Sequence, residues 1–532
     1  MQEDEQNFSK ISALAFGLKE KIEKNAGVIF VLVFLLFWLG VFLAQPVNLV
    51  STDLGRHIEN GRYFFDTHKI PDTNLYSYTY PDIPFINHHW GSGVLFYLIW
   101  KVVGISGLSF FYVTLSLVTF LLLFWETKKF AGLALAALSA ILVIPLIGER
   151  TEIRPEVFSY FFAVVFFLLL WRYKKDKLKT NMLFLLPVLG LFWVNMHIYF
   201  IFGIGLIGLF LLDTIIEKNW SKFKILFLVL ILSIGASLVN PFGIKGLIYP
   251  LNIFRNYGYR VLENQSVSFL TKLGFINNPN LLIFKIVLFI LLASIILIFI
   301  TNRKKISWPL LGLSFTVSVL GWSALRNFSL FGYFALPALA YNLRYGLRKK
   351  IDLNDGWSKI IIFSFAAFFF LFFSNLFQGK LLRENNIDSK KLAQNASADF
   401  FKANNLQGPI CNNYDIGSFL IFHLYPGEKV FVDNRPEAYP DKFFQEVYVP
   451  MQEDDEVWKR VEKEYDFNAI YFYMGDATNW GQEFLVKRAQ DPEWVAVFAD
   501  EYAIIFLKRN EKNKELISQF EISKERFRIT KQ

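Results

Sequence analysis

Along the chain, long uncharged stretches alternate with short polar segments that carry the charges. The apolar runs fall at about Gly27 to Gln45, Ser106 to Trp125, Ala131 to Ile147, Val157 to Trp171, Asn181 to Leu212, Ile225 to Val239, Asn280 to Ile300, Trp308 to Asn342 and Ile360 to Phe377. Runs of this length predict helices that cross a bilayer. Two are too long for one crossing. Asn181 to Leu212 is basic at both ends, with Arg172 to Lys179 before it and Lys218 to Lys224 after, so the positive-inside rule predicts two crossings and an outside turn near Asn195 and His197. The same argument splits Trp308 to Asn342 between Arg303 to Lys305 and Arg344 to Lys350, leaving Arg326 at an outside turn.

These splits predict about eleven transmembrane helices, with a cytoplasmic N-terminal segment at 1–26 and a membrane domain at 27–378. Gly91 to Gly104 is apolar but short and is interrupted by Lys101. It suits an interfacial helix, because a crossing there would put Lys128 and Lys129 outside. The tail, 379–532, changes character. A helix-like segment at Ser389 to Asn404 is followed by short strand-like runs at Pro409 to Asn412, Lys429 to Asp433, Ala469 to Tyr473, Trp494 to Phe498 and Tyr502 to Leu507. That alternation predicts a soluble, extracytoplasmic α/β domain with a closing hairpin through Ala499 to Glu501.

Composition supports the membrane reading. Of 532 residues, 54% are hydrophobic and 60 are Phe, which is more apolar and aromatic than a soluble globular chain needs. The net charge of +9 is dispersed in clusters between apolar runs, which fits topology rather than nucleic-acid binding. A single cysteine, Cys411, excludes a disulfide framework and any cysteine-based zinc site. The segment Gly27 to Gln45 follows Lys19, Lys21 and Lys24, lacks a small-x-small cleavage pattern, and is read as a retained first span.

The first outside loop, 46–90, holds His57, His68, His88 and His89, four of the six histidines in the chain. From Asp53 to Phe64 the pattern is helical, with Asp53 at an N-cap position and His57 one turn on, so both can face one cavity. A carboxylate there has the chemistry of a general base, taking a proton from an acceptor hydroxyl while a sugar leaves a phosphate. The departing phosphate needs cations, and Arg56, Arg62, Arg154 and Arg326 all lie in outer segments of this topology. Simpler readings stand beside these. Asp53 can be only a helix cap, His88 and His89 only headgroup-level anchors, and Arg154, His197 and Arg326 only span ends. A zinc site built from the four loop histidines matches no recognised spacing.

The series Asp53-Leu-Gly-Arg-His57, Gly61-Arg62-Tyr63, His68-Lys-Ile-Pro71, Tyr76-Ser77-Tyr78 and Asn87-His88-His89-Trp90 resembles the first periplasmic loop of the GT-C glycosyltransferases. The similarity is to the bacterial branch akin to protein mannosyltransferases and the lipid A aminoarabinose transferase. Arg154-Pro155-Glu156, Trp193 to His197, Asn240 to Gly243, Asn413 to Asp415 and Phe431 to Arg435 extend it through most of the chain. The resemblance implies a GT-C-like fold in the inner (plasma) membrane. It implies an inverting transfer of a hexosyl or pentosyl group from a polyprenyl-phosphate donor to a glycan, lipid or protein acceptor on the extracytoplasmic face. Asp53 would be the catalytic base, with Glu152 or Glu156 of the next outside loop assisting and Glu149 a further choice in that loop. Arg56, His57, His88, His89, Arg154, His197 and Arg326 are the expected substrate-binding residues. A divalent cation is left open, since the chain lacks a clear Asp-x-Asp pair. The rival classes are a transporter, which the almost charge-free spans disfavour, and a membrane scaffold whose tail binds a cell-envelope partner. A third is an enzyme of related architecture but different chemistry, such as an oligosaccharide ligase or polymerase, which would depend on outside arginines and histidines of later loops rather than on Asp53.

Overall fold

The computed structural model describes residues 27–254, 257–274, 278–347 and 387–527. Among them, four helices are long and apolar enough to cross a membrane: Trp90–Ala131, Glu156–Lys174, Trp220–Ser237 and Asn280–Thr301. Shorter apolar helices occupy Gly27–Leu43, Leu133–Ile147, Thr180–Met196 and Phe200–Ile216. The expected count of eleven spans is therefore not reached on these criteria. Many of the apolar segments are broken into pieces shorter than a bilayer-spanning helix. The run Ile360 to Phe377 and the N-terminal segment 1–26 lie outside the described residues.

The breaks have local causes. The long helix Trp90–Ala131 is interrupted at Gly104, whose φ of 67° no helical residue adopts, so the Gly91 to Gly104 segment is a piece of its own. Asn181 to Leu212 divides into Leu185–Met196 and Phe200–Ile216, with His197 in an extended conformation between them. Trp308 to Asn342 divides into Trp308–Ser323 and Phe328–Gly346, joined by a single 3-10 turn, Leu325–Asn327, that carries Arg326.

Two compact units result, and neither follows the linear order of the chain. One comprises Met1–Gln45, Val113–Thr151 and Glu263–Gly379. Within it, Gly332 lets two helices meet closely, since a Cβ there would lie 2.9 Å from Ile147 Cγ1 and 3.1 Å from the Ile147 nitrogen. Glu149 accepts hydrogen bonds from the side chains of Asn278 and Asn280.

The other unit comprises Pro46–Tyr112, Glu152–Leu262 and Lys380–Gln532, and so joins the first loop to the tail. Its sheet has the order β1-β2-β4-β3, with β1 Ile410–Asn412, β2 Ala469–Tyr473, β3 Trp494–Ala499 and β4 Ala503–Lys508. β1 runs parallel to β2, and β4 pairs antiparallel with both β2 and β3, so the last two strands form the closing hairpin. The aromatic core includes Trp458, Phe472, Phe484, Trp494 and Phe506.

One expected strand is absent. Lys429 to Asp433 forms only isolated bridges, Val430 with Ile410 and with Ser77. Its backbone is satisfied by other means. Asn412 Oδ1 accepts the Phe431 N–H at 2.9 Å, and Asn412 Nδ2 donates to the Val432 carbonyl at 2.7 Å. The first loop supplies the remainder. Val430 N–H donates to the Tyr76 carbonyl, Tyr78 N–H to the Val430 carbonyl, and Ser77 Oγ and Thr79 Oγ1 to the Phe431 carbonyl. Side chains and loop thus replace a ladder that alternation alone would predict.

Candidate functional site

The helix Leu54–Thr67 begins at Asp53, an N-cap residue whose side chain makes no capping hydrogen bond. Its carboxylate is held by two arginines: Oδ2 lies 3.3 Å from Arg154 Nη1 and Oδ1 3.7 Å from Arg56 Nη2. Arg154 also binds Glu152 through Nε at 2.6 Å. The four residues form a chain of alternating charge. Arg56 is buried, and its Nε has no hydrogen-bond partner in the protein.

Beside this chain stands a column of imidazoles. His57 meets His89 edge-on at 5.3 Å, His89 lies 3.9 Å from His88 and stacks on His197 at 5.1 Å, and His88 packs against Tyr249 at 4.9 Å. His197 sits where the helix Leu185–Met196 ends, and its Nδ1 shares a 2.7 Å hydrogen bond with Ser159 Oγ. Ser159 accepts from Trp193 Nε1 at 2.8 Å, and His197 Nε2 is 4.0 Å from Glu156, the buried first residue of its helix. Burial, reinforced by Arg56, pushes the His57 imidazole well below its ordinary range. Burial and the neighbouring histidines do the same to His89. Both rings are therefore neutral near pH 7 rather than cations.

One unit thus collects Asp53, Arg56, His57, His88, His89, Glu152, Arg154, Glu156 and His197. Arg326 belongs to the other, where its Nη1 lies 3.0 Å from Asn264 Oδ1 and 4.0 Å from Glu263, which Arg150 also binds at 2.6 Å. Among the described residues no three His, Cys, Asp or Glu side chains are placed to hold a metal ion, so the donor set for a cation is not assembled there.

The tail adds groups that local pattern had not marked as site residues. Asp415 is pushed up to about 7 by burial, by Asp476 and by Asp53. Glu437 is raised by burial, against the pull of Arg56 and Arg435. Ser418 Oγ accepts the backbone N–H of Arg56 at 2.9 Å. Only the similarity of the Asn413 to Asp415 segment to a family pattern pointed to this stretch, and nothing local marked Ser418. Asp433 and Arg435, by contrast, form a closed pair. Arg435 donates to Asp433 through Nε at 2.8 Å and Nη2 at 2.6 Å, donates to Asn74 at 2.7 Å, and lies over the Phe85 ring.

Fold and site together describe a helical, membrane-type protein in which a loop carboxylate, two arginines and an imidazole column are backed by an α/β tail. No family model matches the chain, and no curated protein matches it. Among solved structures it is similar to the oligosaccharyltransferase AglB of Archaeoglobus fulgidus in complex with an inhibitory peptide and a dolichol-phosphate. That match has a TM-score of 0.57 and 12% identity, and covers 92% of this chain and 75% of that one. The same archaeal enzyme tethered to an acceptor peptide containing the NVT sequon matches with a TM-score of 0.56, at 12% identity and the same coverage. ArnT of Cupriavidus metallidurans bound to undecaprenyl phosphate matches with a TM-score of 0.48 and 14% identity, over 91% of this chain and 98% of that one. The chain has the fold of the GT-C membrane glycosyltransferases.

Proposed function

We propose that the chain is a membrane glycosyltransferase that moves a sugar from a polyprenyl-phosphate donor to an acceptor on the extracytoplasmic face, with Asp53 as general base. The observation that carries this reading is the Asp53 carboxylate, held between Arg154 and Arg56 while making no cap to its own helix. A carboxylate so placed is available for proton transfer, and the arginines beside it suit the negative charge of a phosphate. The unpartnered, buried Nε of Arg56 and Nδ1 of His57 are further polar positions that a phosphate or sugar hydroxyl can satisfy.

In the step we assign, the acceptor hydroxyl gives its proton to Asp53 as its oxygen bonds to the anomeric carbon from the face opposite the phosphate. The bond from that carbon to the phosphate oxygen breaks, and its electron pair leaves with the polyprenyl phosphate, inverting the centre. Arg154 and Arg56 stabilise the charge that grows on the leaving phosphate. Neutral His57 and His89 orient hydroxyls, and Glu156 holds His197 behind them. Glu152 is assigned to Arg154, whose direction it sets, rather than to the proton transfer. The dolichol-phosphate bound by the archaeal enzyme of the same fold supports a lipid-phosphate donor. The positive-inside pattern supports about eleven spans with a cytoplasmic N-terminus and an extracytoplasmic tail.

The test is Asp53→Asn in the full-length protein in membranes, assayed with an undecaprenyl-phosphate-linked sugar. Transfer should be lost with the amount of protein unchanged; near-normal transfer would overturn the assignment.

A further inference from the structure

The first N–H groups of a helix lack partners within it, and an aspartate at the N-cap ordinarily accepts one from the second or third residue. The Leu54–Thr67 helix departs from this. Asp53 occupies the N-cap in a helical conformation, φ −74° and ψ −7°, rather than the extended one that swings a capping side chain over the first turn, and its carboxylate makes no cap. The N–H of Arg56, the third residue of the helix and the usual partner, instead donates to Ser418 Oγ at 2.9 Å.

Ser418 is fully buried on the tail helix Gly417–Leu424, and the sequence brings it there by close packing on both sides. A Cβ on Gly55 would lie 2.7 Å from the Ser418 carbonyl oxygen and 2.9 Å from Phe422 Cβ, so only glycine allows the approach. A Cβ on Gly417 would lie 2.5 Å from Asp433 Cα, which seats the tail helix against the segment that Arg435 and Asn74 fix.

We infer that Ser418 caps the Asp53 helix from the tail and thereby releases the Asp53 carboxylate to face Arg154 and Arg56, making Ser418 a positioning residue for the reaction. The kinetic part of this inference rests on the function proposed above; the capping itself does not. The groups facing Asp53 are Arg56 on its own helix, Arg154 ahead of the Glu156 helix, and Asp415 and Tyr414 ahead of the Gly417 helix, both electrostatically coupled to it.

The experiment uses the full-length protein in lipid nanodiscs and a water-soluble carbodiimide, which modifies the protonated form of a carboxyl. Modification of Asp53, read by peptide mass spectrometry across pH, gives its midpoint. In Ser418→Ala the carboxylate turns back to accept the Arg56 N–H and leaves Arg154, whose charge favours the ionised form more than one neutral backbone donor does. The midpoint should rise by about one pH unit. Ser418→Cys keeps the volume but offers a weak acceptor, and should shift the midpoint the same way. Ser418→Thr keeps the hydroxyl and should restore it. An unchanged midpoint in both the Ala and the Cys variants overturns the inference.

With an undecaprenyl-phosphate-linked hexose as probe, kcat of the Ala and Cys variants should drop about tenfold or more while KM for the probe stays constant. A rise in KM with kcat intact overturns the positioning role. If Asp53→Asn keeps full turnover, the catalytic reading falls, whereas the midpoint shift still decides the cap.

Discussion

Arg154 Nη1 stands 3.3 Å from Asp53 Oδ2, and the same guanidinium binds Glu152 through Nε at 2.6 Å. Arg154 therefore ties the first loop to the segment before the Glu156–Lys174 helix, and brings two carboxylates distant in sequence to one cation. Its positive charge favours the ionised form of Asp53. Arg154→Gln removes that charge while keeping a polar side chain. The carbodiimide midpoint of Asp53 should then rise by about one pH unit, and the acid limb of a turnover profile should move to higher pH with it. An unmoved midpoint would show that Arg154 does not govern the base.

Asp415 gives a second pH dependence, of opposite origin. Its folded-state value of about 7 lies above the ordinary carboxylate range because burial and the charges of Asp476 and Asp53 disfavour ionisation. Between the two values the folded chain binds more protons than the unfolded one, so this group lowers stability as pH rises from about 4 to 7. Asp415→Asn removes the penalty. Relative to the native chain the variant should gain up to about 4 kcal/mol at pH 8 and little at pH 4, read as denaturation midpoints of the detergent-solubilised protein. Equal gains at both pH values would refute the electrostatic cause.

Much of this architecture is legible in the sequence because it is local. The turns at His197 and Arg326 follow from basic clusters flanking overlong apolar runs, and four of five expected strands follow from short apolar alternation. Asp53 stands out because a helix-initiating carboxylate follows directly on the first apolar run. What is not legible depends on contacts between segments far apart. Lys429 to Asp433 alternates like a strand, yet Asn412 and the Ser77 to Thr79 loop satisfy its backbone. Ser418 carries no local signal at all, since its importance comes from a glycine on another helix. Apolar runs likewise indicate where helices lie, but not how many residues a glycine such as Gly104 will cut from them.

Ser159 tests the imidazole column. Its hydroxyl shares a hydrogen bond with His197 Nδ1 and accepts from Trp193 Nε1, all three side chains being buried. Ser159→Ala takes a partner from both rings and should cost about 1–3 kcal/mol. Ser159→Thr, which retains the oxygen, should lose less in the same denaturation measurement. Equal losses would point to packing rather than hydrogen bonding.

The Asp433 and Arg435 pair makes a sharper test of how the loop is fastened to the tail. Arg435 is 1% exposed and Asp433 0%, and the guanidinium reaches Asn74 of the first loop as well as its carboxylate. A buried pair contributes little net stability when both charges are replaced together, but removing one strands the other in a dry site. Arg435→Met should therefore cost about 3–5 kcal/mol, more than any exposed arginine such as Arg509. The double variant Arg435→Met, Asp433→Asn should recover part of that loss, because no charge is left unpaired. If capping by Ser418 depends on this clamp, the single variant should also raise the Asp53 labelling midpoint under conditions where the chain is still folded, and the double variant should restore it in proportion to the stability regained. A destabilised single variant with an unmoved Asp53 midpoint would mean that the clamp holds the loop without setting the position of the base.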